Sequence, residues 1–254
     1  ALTPDLVSTE SQKKSNLLPW VISGLLFIIA AGTIGYMLFP KPAVPPPPLP
    51  VTRAHILPPS RVNFNVSSGG HIAVSPDGKK VAFVGSDTTG TNQLWVRPVE
   101  SLTPVPLAGT NGATYPFWST DGKTLAFFAG GKLKKIDAAG GPVVTLCDAS
   151  DGRGGTWNTA GLIVFAPSPL DALYKVSAAG GVPVAVTKLD TVSKIQNHRW
   201  PRFLPDDKHF VYTTQAAATG SESDMIRIAS LDSTVDSLLM HGNSNVEFAS
   251  GYML

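Results

Sequence analysis

A hairpin-like pattern recurs four times along the chain at a spacing close to 40 residues. The first copy, VSPDGKKVAF at 74–83, is repeated almost residue for residue by FWSTDGKTLAFF at 117–128. TWNTAGLIVFA at 156–166 and RFLPDDKHFVYT at 202–213 are more divergent copies. Successive turns are 44, 39 and 46 residues apart when the copies are aligned on Gly78, Gly122, Gly161 and Asp207. Such a period indicates a repeat architecture and constrains the fold more than any single motif.

Each copy consists of short apolar strands joined by turns. Asp-Gly between two apolar runs favours a tight turn, because glycine reaches positive φ at little steric cost. A further strand follows each hairpin, as in QLWVRPV at 93–99 and DMIRIASLD at 224–232. Short strands repeated in this way predict the blades of a β-propeller. We expect an all-β fold over residues 61–254, a partial or small propeller with about four blades and the start of a fifth in NVEFASGYML.

The repeats resemble a known bacterial family. SPDGKKVAF, WSTDGKTLAFF and LYKVSAAGG look like TolB-type, WD40-like (PD40) β-propeller repeats. The run from 93 to 141 is similar to the extracytoplasmic propellers of bacterial membrane-anchored Ser/Thr protein kinases. This resemblance covers residues 70–254 and implies a propeller that lies outside the cytoplasm. The sequence departs from the kinases in lacking a Gly-rich loop, a His-Arg-Asp loop and an Asp-Phe-Gly motif.

An apolar segment precedes the repeats. Residues 17–39 contain 23 residues without a charge, enough to span a hydrocarbon core of about 30 Å as one transmembrane helix. The preceding Lys13 and Lys14 favour a cytoplasmic N-terminus and a periplasmic propeller at the bacterial inner membrane. The run is too long for a cleaved signal peptide. The residues that we expect in contact with lipid are Trp20, Leu25, Leu26, Phe27, Ile28, Ile29 and Tyr36.

The segments on either side of the apolar run differ in composition. Residues 1–16 are polar and form a short tail, and residues 40–60 form a proline-rich linker. Such a linker favours polyproline II and acts as a semi-rigid spacer. The apolar run has no clear Gly-x-x-x-Gly motif, so a homo-oligomer is not supported.

The sequence does not predict an enzyme. It lacks Gly-x-Ser-x-Gly and has no Cys/His set with zinc spacing, and Cys147 is its single cysteine. The formal charge is +2 with interspersed signs, which argues against nucleic acid as a partner. We therefore predict no catalytic, cofactor-binding or metal-binding residues and no cofactor. His198 beside Arg199 and Trp200 is the most site-like group, but Trp200-Pro201 aligns with Tyr115-Pro116 of an earlier repeat and favours packing between blades.

Two functions are compatible with this organisation. The first is a non-catalytic, membrane-anchored scaffold or accessory subunit that binds and stabilises a larger integral membrane protein complex, for which a photosynthetic or respiratory complex is an example. The alternative is a sensory ectodomain that binds a small ligand or a peptide in the propeller channel.

The fifth repeat stops soon after it starts. Three explanations are open: further residues follow residue 254, four blades close on themselves, or another protein covers the open edge. In the third case, strands near 224–232 and 246–254 present backbone groups and apolar side chains to the partner. The contact candidates are Ile226, Ile228, Phe248, Tyr252 and Leu254.

Overall fold

A computed structural model describes residues 18–38, 55–65, 72–190, 195–216, 224–232, 235–249 and 252–253 of the chain. The predicted tail, most of the proline-rich linker and Leu254 lie outside the described residues. The chain divides into two units, Ala1–Arg53 and Ala54–Leu254. In the first unit, the described part is a helix, and in the second it consists of strands, turns and loops.

The helix α1 (Leu18–Leu38) contains no charged residue. Its second residue is Pro19, which a first helical turn tolerates because the N–H groups there have no partner within the helix. Of the predicted lipid-facing residues, Trp20 and Leu25–Ile29 are exposed, and the side chain of Tyr36 lies outside the described part. The side chains of α1 are described for residues 20–33. Among the described residues, no helix is long and apolar enough to cross a membrane.

The second unit is built from antiparallel sheets. In blade 1, β1 and β2 both pair with β3, and the sheet continues through β4 to β5. The strands of blade 1 are β1 (Asn63–Phe64), β2 (Ile72–Val74), β3 (Lys80–Ser86), β4 (Asn92–Pro98) and β5 (Val105–Pro106).

Blades 2, 3 and 4 are four-stranded sheets in which each strand pairs with the next one along the chain. The strands of blade 2 are β6 (Thr114–Trp118), β7 (Thr124–Ala129), β8 (Lys132–Asp137) and β9 (Val144–Asp148). Those of blade 3 are β10 (Gly155–Trp157), β11 (Leu162–Phe165), β12 (Tyr174–Ser177) and β13 (Val184–Ala185). Those of blade 4 are β14 (Ile195–Phe203), β15 (His209–Ala216), β16 (Met225–Ser230) and β17 (Asp236–His241). A separate pair follows, β18 (Phe248–Ala249) and β19 (Tyr252–Met253).

One turn geometry repeats in all four blades. The aligned residues Gly78, Gly122, Gly161 and Asp207 have φ of 70°, 65°, 75° and 61°. The N–H of each donates to the carbonyl oxygen three residues earlier, at 2.8 to 3.1 Å. Positive φ suits glycine, and Asp is among the residues that tolerate it best. The repeated motif is therefore a hairpin turn, which joins β2 to β3 in blade 1 and the first strand to the second in blades 2, 3 and 4.

The core consists of apolar layers between successive blades. Leu94 and Phe127 pack between blades 1 and 2, Phe128 and Phe165 between blades 2 and 3, and Phe210 lies in the layer between blades 3 and 4. All five side chains are buried, and burial of each contributes roughly 1.5–3 kcal/mol to stability. The layer beyond blade 4 is smaller.

Residues 55–65, here called the cover segment, pack on the face of blade 1 that points away from blade 2. The Arg97 guanidinium donates from Nη1 to the carbonyl oxygen of His55 at 2.9 Å, and the rings of Phe64 and Phe83 meet edge to face at 5.1 Å. Gly85 allows this approach, because a side chain there would collide with Val62. The cover segment therefore shields the apolar end of the blade series.

The all-β prediction is confirmed for the second unit, which consists largely of four-stranded antiparallel sheets. One expectation about its end was wrong. The strand near 224–232 was expected to present an unpaired edge, but β16 pairs with β15 on one side and with β17 on the other. The outer edge of blade 4 is β17 because the chain returns through 235–241 to add one more strand.

Candidate functional site

A central cavity of about 770 Å³ is lined by β2 of blade 1 and by the first strands of blades 2, 3 and 4, here called the inner strands. Residues 245–248 complete the described part of its wall. The cavity is rich in aromatic and proline side chains, and Trp118, Trp157 and Phe203 occupy equivalent positions four residues before the turn of their blades. The sequence alignment therefore identified a recurring inner-strand position, and the structure places it in the wall of this cavity.

A backbone distortion repeats in the inner strands of blades 2, 3 and 4. Tyr115, Gly154 and Trp200 each lie seven residues before the turn residue and have φ of 46°, 91° and 51°. Bulges occur at this point in the pairing of β6 with β7 and of β14 with β15. Non-glycine residues rarely adopt positive φ, and each such residue costs on the order of 1–3 kcal/mol. Only the proline after each aromatic residue signalled this geometry in the sequence.

Arginines precede the distorted residue in blades 3 and 4. The Trp200 N–H donates to the carbonyl oxygen of Arg153 at 3.1 Å, which places Arg153, just before β10, beside Arg199 on β14. The Arg153 guanidinium lies over the Tyr115 ring, 5.8 Å from its centroid. It also donates to both carboxylate oxygens of Asp151. His198, Arg199 and Trp200 were singled out from the sequence in this region, but Arg153 was missed, since it lies far from them along the chain.

A second, smaller pocket of about 180 Å³ lies in blade 4. His198 is 2% exposed, and its Nδ1 lies 2.7 Å from Thr187 Oγ1. The Tyr212 hydroxyl donates to the Asp236 carboxylate at 2.8 and 2.9 Å, and Arg227 Nε donates to the same group at 2.8 Å. A polar network therefore takes the place of apolar packing here.

Burial changes the titration of this network. Burial lowers the pKa of His198 to about 4, although the nearby Asp236 carboxylate acts in the opposite direction. Burial also raises the pKa of Tyr212, and the adjacent Asp236 carboxylate raises it further. Neutral His198 is therefore the form that the fold stabilises at neutral pH, which fits packing between blades better than acid–base chemistry.

The outer edge of blade 4 carries three consecutive exposed apolar side chains. β17 contains six residues, and Leu238, Leu239 and Met240 are 48%, 40% and 52% exposed. Among the described strands, only β16 pairs with β17, so its other edge has no strand partner. An exposed apolar edge of this kind is a site for pairing with another chain.

The predicted contact residues are placed in different surroundings. Ile226 is buried at 4% exposure, and Ile228 is partly buried against the same small cluster. Phe248 lines the central cavity, whereas Tyr252 is 71% exposed. Leu254 lies outside the described residues. The structure does not bring these residues into one exposed surface, and the apolar residues of β17 were missed by the sequence analysis.

Groups suited to metal or thiol chemistry are sparse in the described part of the chain. There, no three or more His, Cys, Asp and Glu side chains come together in a way that suits a metal ion. Cys147 is buried in the layer between blades 2 and 3. Burial, and to a lesser extent the Asp148 carboxylate, raises the pKa of its thiol to about 11. Its nucleophilic thiolate form is therefore rare at neutral pH.

Solved structures with the same arrangement of strands include TolB proteins. TolB from Acinetobacter baumannii matches with a TM-score of 0.58 and 16% identity over 71% of this chain and 46% of that chain. A TolB-type protein from Agrobacterium tumefaciens matches with a TM-score of 0.57 and 16% identity over 68% of this chain and 66% of that chain. A prolyl endopeptidase structure matches with a TM-score of 0.51 and 14% identity over 76% of this chain and 32% of that chain.

No protein-family model matches the sequence, and the curated proteins contain no similar sequence. The chain corresponds to less than two thirds of the length of each of the three solved structures. At sequence identities of 14% to 16%, the similarity to these structures shows the fold alone. The repeated four-stranded sheets of this chain have the fold of a TolB-type β-propeller.

Proposed function

We propose that this chain is a non-catalytic, membrane-anchored β-propeller that binds and stabilises a larger membrane protein complex. The observation that carries the proposal is the exposed apolar edge of β17. When a partner adds a strand to such an edge, its backbone hydrogen-bonds the free backbone groups and its side chains cover the apolar residues. This mode of binding needs no catalytic residue in the propeller.

The anchor is proposed from α1. Its sequence is free of charge, and its large apolar side chains from Leu25 to Ile29 are all exposed. Exposed apolar surface of this size is costly in water and favourable in lipid. We place the N-terminus in the cytoplasm and the propeller in the periplasm, in line with the lysine pair before the helix. Protease added to spheroplasts should remove the propeller, and full protection of the propeller would contradict this orientation.

Native electrophoresis after mild solubilisation tests the binding function. The tagged chain should migrate within a large complex, and Leu239→Lys on β17 should release it as a free subunit. Val184→Lys is the matched control, because Val184 is an exposed valine on the outer strand of blade 3. Persistence of the complex with Leu239→Lys, or equal release by both variants, would contradict the proposed surface.

The central cavity favours a second function, that of a sensory ectodomain. Its volume of about 770 Å³ is in the range of small-molecule sites, and its walls combine aromatic and polar groups. A sensor should be stable and monodisperse alone in mild detergent and should bind its ligand without a partner. A scaffold should instead lose solubility or stability when it is separated from the complex.

A further inference from the structure

Two arginines occupy equivalent positions on neighbouring blades. Arg153 and Arg199 each come directly before the residue with positive φ, and Thr114 holds this position in blade 2. The hydrogen bond from Trp200 N–H to the Arg153 carbonyl oxygen joins the two backbones at this point. This backbone contact therefore brings the two arginines together beside the inner strands of blades 3 and 4, where the charge of Arg153 acts on Arg199.

The first arginine is well paired. Arg153 donates to both oxygens of the Asp151 carboxylate and to the Gly152 carbonyl oxygen at 3.1 Å. Its guanidinium also lies over the Tyr115 ring. Asp151 is therefore already engaged and its charge is largely offset by Arg153.

The second arginine lacks such a partner. Arg199 is partly buried, and its Nε–H is buried with no hydrogen-bond acceptor among the described residues. None of the ion pairs found in the described part of the chain includes Arg199. Asp224 is the other carboxylate whose charge acts on Arg199, but it accepts a hydrogen bond from the Ala216 N–H at 3.3 Å. Burial and the charge of Arg153 lower the pKa of Arg199 more than Tyr115, Asp224 and Asp151 raise it, as expected for a cation whose charge is only partly compensated.

We propose that Arg199, with Arg153 beside it, binds a carboxylate group of a ligand at the inner strands of blades 3 and 4. A guanidinium group presents a planar set of donors that matches the two oxygens of a carboxylate. The Arg199 side chain is partly exposed, and the carboxylate would supply the ion-pair partner that it lacks among the described residues. This site is independent of the β17 edge and does not rest on the proposed scaffold function.

The backbone around the site is tightly packed and adopts an uncommon conformation. Trp200 keeps a positive φ between Arg199 and Pro201, and Gly154 lies so close to it that a side chain there would sit 3.1 Å from the indole ring. Strained backbone persists only where surrounding packing fixes it, and it often marks binding sites. Bulges also redirect side chains near such sites.

The carboxylate has two possible sources, a small organic acid or an acidic peptide. We suggest calorimetric titration of the full chain in mild detergent with succinate and, separately, with the peptide acetyl-Ala-Glu-Ala-amide. Succinamide at equal concentration and sodium chloride at equal ionic strength are the controls. Saturable binding of either carboxylate by the wild type is expected, and the probe that binds more tightly identifies the source.

Matched variants locate the binding. Arg199→Gln should weaken binding of the preferred probe by about tenfold or more, because it removes a charge-assisted contact. Arg202→Gln should leave binding unchanged, since Arg202 lies on the same strand but pairs with Glu247 at 3.0 Å. Absence of saturable binding to both probes, or equal weakening in both variants, would overturn the proposal.

Thermal unfolding provides a second measurement that does not depend on the source of the ligand. Without ligand, Arg199→Gln should unfold at the same temperature as the wild type or higher, because it removes an uncompensated charge. The preferred carboxylate should raise the unfolding temperature of the wild type and of Arg202→Gln but not that of Arg199→Gln. A clear loss of stability in ligand-free Arg199→Gln would show that Arg199 is already satisfied within the fold and would contradict the proposed site.

Discussion

Blades 2 and 4 share one strand order but differ in what covers them. In blade 2, Phe128 packs toward blade 3 in a large aromatic layer, whereas Thr213 holds the equivalent position in blade 4 and donates from Oγ1 to the Ser244 carbonyl oxygen at 2.8 Å. The outer strand of blade 2 buries Leu146 and Cys147, whereas that of blade 4 exposes most of its apolar side chains. Blade 2 is therefore built for packing within the fold, and blade 4 combines a polar interior with an apolar edge.

β17 also differs from the outer strands of the other three blades. β5 and β13 are two residues long, and β5 includes a proline, which has no N–H to offer a further strand. β9 ends at the charged Asp148, which pairs with Lys132 on β8. Short strands, proline and charge are the usual means by which proteins protect sheet edges. β17 has none of these over 238–240, which is why we assign partner binding to blade 4. The following predictions test this contrast, in order of the expected change in the free energy of unfolding.

Equivalent core positions in blades 2 and 4 should contribute unequally to the free energy of unfolding. Leu133 in blade 2 and Ile226 in blade 4 occupy the same place on the third strand, paired with Phe128 and Thr213 respectively. Leu133→Ala should cost about 4 kcal/mol and Ile226→Ala about 2 kcal/mol, because the smaller layer beyond blade 4 offers fewer contacts to lose. Chemical denaturation followed by tryptophan fluorescence measures both. Equal losses would remove the energetic distinction between the two blades.

Acid should destabilise the protein through blade 4. The pKa of His198 is about 4 in the folded protein, below its value of 6.5 in the unfolded chain, so the unfolded chain binds the proton more readily. Neutral His198 therefore makes its full contribution to the free energy of unfolding above pH 6.5. This contribution, about 3 kcal/mol in total, is lost as the pH falls toward 4. Ala113 holds the equivalent position in blade 2 and cannot titrate.

Denaturation curves between pH 7 and pH 4 measure this loss. His198→Gln should flatten the pH dependence, and His241→Gln, an exposed histidine on β17, should leave it unchanged. A wild-type curve that is flat down to pH 4 would show that His198 is not the source of acid sensitivity.

The polar network around Asp236 should contribute more to stability than an exposed ion pair does. Asp236→Asn removes the charge that pairs with Arg227 and weakens an acceptor of the Tyr212 hydroxyl, and should cost about 2 kcal/mol. Asp232→Asn is the control, because its pair with Lys208 is exposed and contributes at most about 0.5 kcal/mol. Similar small effects of both substitutions would mean that solvent screens the network.

The β17 edge should contribute least to the stability of the isolated chain. Leu239→Lys should change the free energy of unfolding by no more than about 0.5 kcal/mol, because the side chain already faces solvent. Far-UV circular dichroism and denaturation of the purified variant measure this. A large loss of stability would mean that release from the complex reports unfolding rather than a lost contact.

Much of the fold was predictable from the repeats. The turn glycines were visible because positive φ and hairpin geometry demand particular residues at fixed positions. The inner-strand positions of Trp118 and Trp157 followed from the same alignment. The pairing of β16 with β17 was not predictable. The β17 sequence, DSLLMH, lacks the alternation of apolar and polar residues that marks a half-buried strand.

The candidate sites were harder to predict. Arg153 and Arg199 are far apart along the chain and become neighbours where the Trp200 N–H donates to the Arg153 carbonyl oxygen. The bulge beside Arg199 leaves little trace in the sequence beyond the proline after the aromatic residue. Ile226 was assigned to a contact surface because it is apolar and lies near the end of the repeats. The pattern of one strand cannot show which neighbouring strand and layer will cover it, and here β17 and Val246 do so.

Site-specific photocross-linking tests the central claim most directly. A photoreactive phenylalanine derivative placed at Leu239 in the native membrane should form a cross-link to an integral membrane subunit. The same group at Val184 on blade 3 should form none, since its short strand is not a binding edge. Cross-links from position 184 with none from position 239, or no cross-link from either, would contradict the assignment of partner binding to the outer edge of blade 4.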